Sequence, residues 1–314
     1  MKWICRLFAS AFCCMPFCAS QAQLTYNELT VQYDSAWTFR NLQLIPVKFT
    51  DAGKGGQGKQ FSNVISLREA LQTGKLSMRE IVGPDGSDIN VLVIKNHTKK
   101  TILLNSGEMV AGGKQDRVIA STTLIPPGEE ENYVTVFCIE KGRWDDKVKP
   151  FTYNGLADIP LRKQLALGSK QNEIWKQIDS QFHAKKLNAD TWSYLKLYKN
   201  VSVADTAYLH YFRERMRQSD SSYAGFIAIS GNHIINCELF GSEVLCLLSY
   251  IDLVKSYVHG LSATDEPPKV GIETIRNFTG LFMQSNEQQE KYIATHGKAD
   301  KYQGHIIHLV AFPN

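Results

Sequence analysis

Residues 225–260 read GFIAISGNHIINCELFGSEVLCLLSYIDLVKSYVHG. Two apolar runs, Gly225 to Ser230 and Ile234 to Phe240, flank Gly231-Asn232, a pair suited to a tight turn, so this stretch predicts a β-hairpin. Directly behind it Val244, Leu247, Leu248, Ile251, Val254 and Val258 share one broad helical face. A face that wide is too apolar to leave in water and predicts a helix packed on the hairpin. Strands and helices alternate imperfectly here, which points to an α+β fold and away from a doubly wound nucleotide fold.

Working outward, Ile272, Ile275, Phe278 and Phe282 mark another helix, and Ile306 to Phe312 a terminal strand. Upstream, Ile174, Trp175, Ile178 and Phe182 lie on one helical face, and a further helix starts near Ser202 with Asp205 at its N3 position. Before about residue 150 the period changes from 3.6 to two. Runs at Leu42 to Phe49, Asn90 to Lys95, Thr101 to Asn105 and Tyr133 to Glu140 alternate with turn chemistry at Gly83-Pro84-Asp85-Gly86, Gly112-Gly113 and Pro126-Pro127-Gly128. Antiparallel sheets fit that spacing. A short helix interrupts them, where Ser66 and Glu69 form a capping box and Gly74 follows the last turn. The organisation expected is a leader at 1–22, a β-rich part at 23–150, and a helical and α/β part at 151–314, the last two packed as one compact unit. No internal repeat is visible.

The leader reading rests on Lys2 and Arg6, the apolar run from Leu7 to Cys18, and the small and polar residues through Ala22. The apolar run holds only about a dozen residues, where a membrane-spanning helix needs roughly 20, so a cleaved secretory signal is expected and no transmembrane segment after it. Cleavage after Ala22 leaves Gln23 first. Phe17 before Cys18 and Cys13 before Cys14 do not suit a lipoprotein signal, which needs a small residue there. The expected location is periplasmic or secreted. Loss of Lys2 and Arg6 leaves 33 of the 35 basic residues against 31 acidic ones, a balance that calls for neither nucleic acid nor an acidic membrane surface. Cys138, Cys237 and Cys246 remain, with buried free thiols the expected state and Cys237 with Cys246 the best-placed pair should a disulfide form. With 43% of the whole chain apolar, the remainder can bury a real core.

Familiar catalytic signatures are missing: there is no Gly-x-Ser-x-Gly elbow, no phosphate loop ending in Gly-Lys-Ser/Thr, and no His-Glu-x-x-His helix. The glycine-rich run from Gly53 to Gly58 has no helix directly behind it to hold a pyrophosphate, and reads as a flexible loop. His305 and His308 point to opposite faces of a strand and do not make a metal pair, so neither metal nor cofactor is called for. His233 falls at the hairpin tip as a solvated turn residue. The densest polar cluster is Ser106-Gly107-Glu108 through Gly112-Gly113-Lys114-Gln115-Asp116-Arg117. Its paired glycines let the backbone turn or approach a ligand closely, and its ammonium, amide and guanidinium groups can clamp an anionic or carbonyl-bearing molecule. Arg143 beside Trp144 adds a pairing that stacks on planar ligands. The plainer alternative is a turn held by an ion pair such as Glu108 with Arg117.

These clusters, with Leu124-Ile125-Pro126-Pro127-Gly128 and the run from Val136 to Trp144, resemble the family of the ARG and rhodanese-phosphatase-superfamily-associated protein domain. The likeness continues through Ser66 to Leu71, Glu173-Ile174-Trp175, Glu238 to Ser242 and His305 to Phe312, covering most of the chain. The resemblance implies an association with ADP-ribose or NAD-derived metabolism, and no settled biochemistry.

Two readings of function stand. The first is an exported, non-catalytic module that binds a small anionic or sugar-like ligand, or a protein of the envelope, through Glu108, Gly112, Gly113, Lys114, Gln115, Asp116, Arg117, Arg143 and Trp144. The second is a hydrolase of an ADP-ribose-like or glycosidic bond, with Glu108 or Asp116 as acid or base and Arg117 or Arg143 holding the anion. Export is decided by N-terminal sequencing of protein recovered from the envelope or medium: Gln23 is expected first, and a retained Met1 in that fraction refutes the leader.

Overall fold

A computed structural model of the chain describes residues 24–57, 61–81, 90–142, 149–187, 192–198, 203–219, 222–261 and 266–314. The leader, the turn at Gly83 to Gly86, and Arg143 and Trp144 lie outside the described residues. The helices are α1 (Asp51–Gln57), α2 (Leu67–Gln72), α3 (Ile159–Ala166), α4 (Gln171–Ala184), α5 (Val203–Arg217), α6 (Glu243–Gly260), α7 (Ile272–Met283) and α8 (Asn286–His296). With several antiparallel sheets among them, the fold is mixed α+β.

The expected hairpin forms, with Tyr223–Ser230 and His233–Phe240 pairing across Gly231-Asn232. It sits inside a seven-stranded sheet. Leu29–Val31 and Trp37–Phe39 pair with Leu42–Phe49, which pairs with the hairpin, and His305–Ala311 and then Gly297–Tyr302 complete the order, all antiparallel. Every residue of Tyr223–Ser230 is buried, because both faces of the sheet are covered. Phe226 and Ala228 join Leu245, Tyr250 and Val254 of α6 on one side. Ile227 and Ile229 join Ile275, Phe278 and Phe282 of α7 on the other. Leu42–Phe49 comes from the first half of the chain and lies beside strands of the second, so the change of period near residue 150 is no boundary in this sheet.

The remaining strands form a β-rich unit. A six-stranded sheet runs Lys149–Leu156, Glu108–Gly113, Arg117–Ile119, Gly128–Cys138, Val91–Asn96, Leu76–Glu80. A three-stranded sheet of Thr123–Ile125, Thr101–Leu104 and Val64–Ser66 shares a core with it through Ile65, Leu104, Val110 and Val136. The pairing of Val64–Ser66 with Thr101–Leu104 is parallel, an exception to the antiparallel expectation. Ser66 caps α2 as expected, its side chain accepting from the Glu69 backbone N–H at 3.2 Å.

Several expectations need correction. The glycine run is helical as far as Gln57: Thr50 receives the Gly53 N–H on its hydroxyl at 3.2 Å and the Lys54 N–H on its carbonyl at 3.0 Å. A Cβ on Gly53 would lie 2.5 Å from the Glu28 carbonyl oxygen, so tertiary contact overrides poor helix propensity here. On α6 the buried face is rotated from the apolar one. Val254 and Val258 are buried but Leu247 is 40% exposed, whereas Ser249 and Ser256 are buried. Their hydroxyls donate to Asn105 Oδ1 and the Ala157 carbonyl, so burial leaves neither unsatisfied. The cysteines need no correction: Cys237 and Cys246 lie in the cores on opposite faces of the sheet, and all three described cysteines are the buried free thiols expected. The helix α8 and the strand Gly297–Tyr302 escaped sequence reading because both are mostly polar: of α8 only Gln289, Tyr292 and Ile293 are buried. Among the described residues no helix is long and apolar enough to cross a membrane.

Leu245 is fully buried against the sheet while Leu247 is exposed. Leu245→Ala is therefore expected to cost about 2–5 kcal/mol in chemical denaturation, and Leu247→Ala no more than about 0.5 kcal/mol; equal effects would mean that α6 presents a different face to the sheet.

Candidate functional site

The strand Thr101–Leu104 runs into Ser106-Gly107, a sharp turn with Gly107 at φ +92°. A Cβ there would lie 2.8 Å from Cγ of Arg162, so glycine is required both by the backbone angle and by the arginine stem crossing the turn. Arg162 projects from α3, whose first turn Asp158 caps by accepting the Leu161 N–H. Its guanidinium pairs with the Glu238 carboxylate and also donates to Ser256 Oγ at 3.4 Å.

Glu238, 1% exposed in the middle of the sheet, is the hub. It receives the Tyr257 hydroxyl at 3.1 Å and the Asn236 amide at 3.2 Å, and lies 3.0 Å from His308 Nε2. His308 stands opposite Phe240 on one side and Asp300 on the other in the strand register, with its ring stacked on Phe240 at 4.8 Å. Its Nδ1 is 2.9 Å from Thr122 Oγ1 and 3.8 Å from Asp300 Oδ2, and Asp300 in turn accepts the Thr122 N–H at 2.8 Å. Burial alone would push the Glu238 carboxyl up, but Arg162 and His308 outweigh it and bring it down to about 2. Burial pushes His308 down, and its bonds to Asp300 and Glu238 outweigh that and raise it. The network therefore favours the charged forms of both Glu238 and His308.

Glu108, one residue beyond the turn, belongs to a second cluster. It accepts the Asn105 N–H at 2.9 Å, and the Tyr153 hydroxyl lies 3.5 Å away, donating at 2.8 Å to Asp252 of α6. Asp252 is paired with Arg68, whose guanidinium lies 4.8 Å over the Tyr153 ring, and with Lys255 at 3.3 Å. Burial, the largest cause, drives the Glu108 carboxyl up to about 8 against the two bonds from Asn105, with Asp252 adding to the rise.

The other sequence-selected residues form a third, buried group. Gly112 and Gly113 have φ of +137° and +53° at the end of their strand. The Gly112 N–H donates to Asp116 Oδ1 at 3.2 Å, Ser193 donates to Asp116 Oδ2 at 3.0 Å, and Gln115 donates to the Glu140 carbonyl at 3.0 Å. Arg117 is 0% exposed and pairs with Glu80 at 2.6 Å, while the Lys114 N–H donates to Glu80 at 3.0 Å. The partner of Arg117 is thus Glu80 and not Glu108, which faces the α6 seam. The structure brings Gln115, Asp116 and Arg117 together inside the β-rich unit; Lys114 is half-buried at its edge.

A groove of about 550 Å³ opens elsewhere, between α3, α4, the C-terminal end of α6 and the hairpin tip. Lys163, Gln164, Gln177 and His233 give it polar walls, with Ile235 and Phe312 among its apolar ones. Tyr257 also lines it, so the groove and the Glu238 network share a side chain. Among the described residues, none of those singled out as a binding cluster lines this groove. The available sequence signal was charge inside apolar strands, at Glu238 and His308, since such residues are seldom fully buried unless paired. Among the described residues no group of three or more His, Cys, Asp and Glu could hold a metal ion.

The elevated Glu108 carboxyl has a pH signature. Below about pH 4.5 both folded and unfolded chains hold its proton. Between there and about 8 the unfolded chain ionises while the folded one stays protonated, so Glu108 withdraws stability as the pH rises. The stabilising charge on His308 is also lost as the pH rises through its raised value, but that loss is common to the wild type and a Glu108 variant. Glu108→Gln is expected to gain stability relative to wild type between pH 5 and pH 8 in urea titrations; an unchanged difference would mean that Glu108 is ionised throughout.

No curated protein and no solved structure matches the chain. The sequence profile of the ARG and Rhodanese-Phosphatase-superfamily-associated Protein domain matches residues 30–312. That span begins within the first strand of the seven-stranded sheet and ends just past its last, taking in the Ser106-Gly107-Glu108 turn, Arg162, Glu238 and His308. The chain therefore belongs to the family of the ARG and Rhodanese-Phosphatase-superfamily-associated Protein domain.

Proposed function

We propose that the protein is an exported, non-catalytic binding module whose small, polar ligand, sugar-like or anionic, occupies the groove beside Tyr257. The observation that carries this reading is the separation of concavity from reactive groups. The groove offers an ammonium, two side-chain amides and an imidazole around apolar walls, the usual makeup of a small-molecule site. An acid or base must touch its substrate. The Glu238 carboxylate is buried and engaged by Arg162, His308, Tyr257 and Asn236. Glu108, which holds a proton suited to a general acid, is 2% exposed and lies outside the groove. These placements support binding over the hydrolase reading, and export is supported by the leader sequence.

A thermal-shift screen with free ADP-ribose, ribose, hexoses and their phosphates tests the proposal. At least one compound is expected to bind saturably and to be recovered intact, and the double variant Lys163→Ala/Gln177→Ala is expected to weaken it about tenfold, roughly 1.4 kcal/mol, without lowering the ligand-free Tm. Cleavage of the compound would favour the hydrolase, and affinity unchanged by the double variant would move the site out of the groove.

A further inference from the structure

The groove beside Tyr257 runs along an open stretch of the seven-stranded sheet. His305–Ala311 pairs with His233–Phe240 only from Phe240↔His308 to Cys237↔Ala311, so His233, Ile234 and Ile235 extend past the last rung on that side. All three line the groove. Among the described residues no other strand takes the vacated place. His233 stands opposite Ser230 next to the two-residue turn and Ile234 opposite Ile229; the pair that closes such a turn is the hydrogen-bonded one, so Ile234 turns its own N–H and C=O away from Tyr223–Ser230 and toward the open side. Of the two residues that follow Ala311, Phe312 gives its N–H to the His296 carbonyl at 2.7 Å and Pro313 has none, so neither can donate to the Ile234 carbonyl. An unpaired backbone donor and acceptor on one residue, spaced as in a strand, is a template for another extended chain.

We propose that the anion taken by this groove is the C-terminal carboxylate of a short peptide, which lies extended along Ile234 with its carboxylate at Lys163. The inference rests on the groove as the binding site and names the class of ligand. No residue lining the groove has an acidic side chain, and the Lys163 ammonium, 5.4 Å from the centre of the Phe312 ring, makes no ion pair among the described residues. Charge therefore selects an anion, and the sheet edge selects a peptide, because a peptide unit presents the N–H and C=O that complete a rung with Ile234. Ile159, Leu261 and Phe312 give its side chains apolar walls. An extended chain rises about 3.3 Å per residue, so three residues span roughly 10 Å. A groove of about 550 Å³ is of small-ligand size, which limits the occupant to a few residues and leaves out the strand of a folded partner.

The test uses the whole protein and a pool of N-acetylated tripeptides with all three side chains varied, offered as free acids and separately as C-terminal amides. Mass spectrometry reads the bound species, and calorimetry measures the best of them. Free acids are expected to be retained, and the amide of the best binder to bind about tenfold more weakly. Methylating its backbone nitrogens one at a time is expected to weaken binding chiefly at the one that faces the Ile234 carbonyl. Lys163→Ala is expected to erase the difference between acid and amide without changing the ligand-free Tm. Retention of no peptide, equal binding of acid and amide, or indifference to methylation at every position overturns the proposal. If a sugar phosphate nevertheless binds and Lys163→Ala/Gln177→Ala weakens it, the groove stands as the site and only the peptide falls; peptide binding untouched by that double variant removes both.

Discussion

A carboxylate enclosed in the middle of a sheet is tolerated only when other charges and hydrogen-bond donors are brought to it, and Glu238 imposes that requirement on the architecture. Arg162 comes from α3, Tyr257 from α6, His308 from the terminal strand and Asn236 from two positions along its own strand. Each of these elements must dock in one place for the charge to be satisfied. Removing any charged partner would strand a buried ion, a loss larger than the net gain that an intact buried network supplies. The Ser106-Gly107 turn follows from the same constraint. Gly107 leaves room for the Arg162 stem, and the Ser106 N–H donates to the Thr122 hydroxyl that touches His308.

The helix α6 turns the two halves of the chain into one body. Its sheet-facing side buries Leu245, Tyr250 and Val254, while Ser249, Asp252 and Ser256 reach Asn105, Tyr153 with Arg68, and the Ala157 carbonyl. The seam therefore adds directed polar contacts to the apolar packing of Phe61, Val64, Leu103, Leu124 and Leu156 in the same core as α6. Polar contacts of this kind fix relative position, because a small displacement loses hydrogen bonds outright while an apolar contact merely slides. Glu108 lies in this seam in its protonated form, and neutrality is what lets it sit near Asp252 without like-charge repulsion.

The groove and the buried core meet at Tyr257 and Phe312. The first carries the Glu238 network to the groove, and the second lines both the groove and a small cavity beside Arg162, Asp300 and His308. A ligand in the groove would thus rest on side chains already held rigid by the core, the condition under which a binding site loses least ordering entropy.

What the sequence determined by itself was local. The hairpin across Gly231-Asn232, the Ser66 cap, the helices carrying Ile174, Ile178 and Phe182 or Ile275, Phe278 and Phe282, and the α+β class were legible, because turn chemistry and apolar periodicity act within a few residues. The Ser106-Gly107-Glu108 stretch was legible as part of a dense polar cluster, but its role was not, since that depends on Arg162, Thr122 and His308, the last two 186 residues apart. Only the tertiary structure decided that Gly112 to Arg117 folds inward onto Glu80, Glu140 and Ser193, that α6 buries serines and exposes Leu247, and that a glycine run coils into α1 against Glu28. The reason is common to all three: a polar or flexible residue can be buried once a distant partner satisfies it, and hydropathy along the chain carries no record of which partner that is.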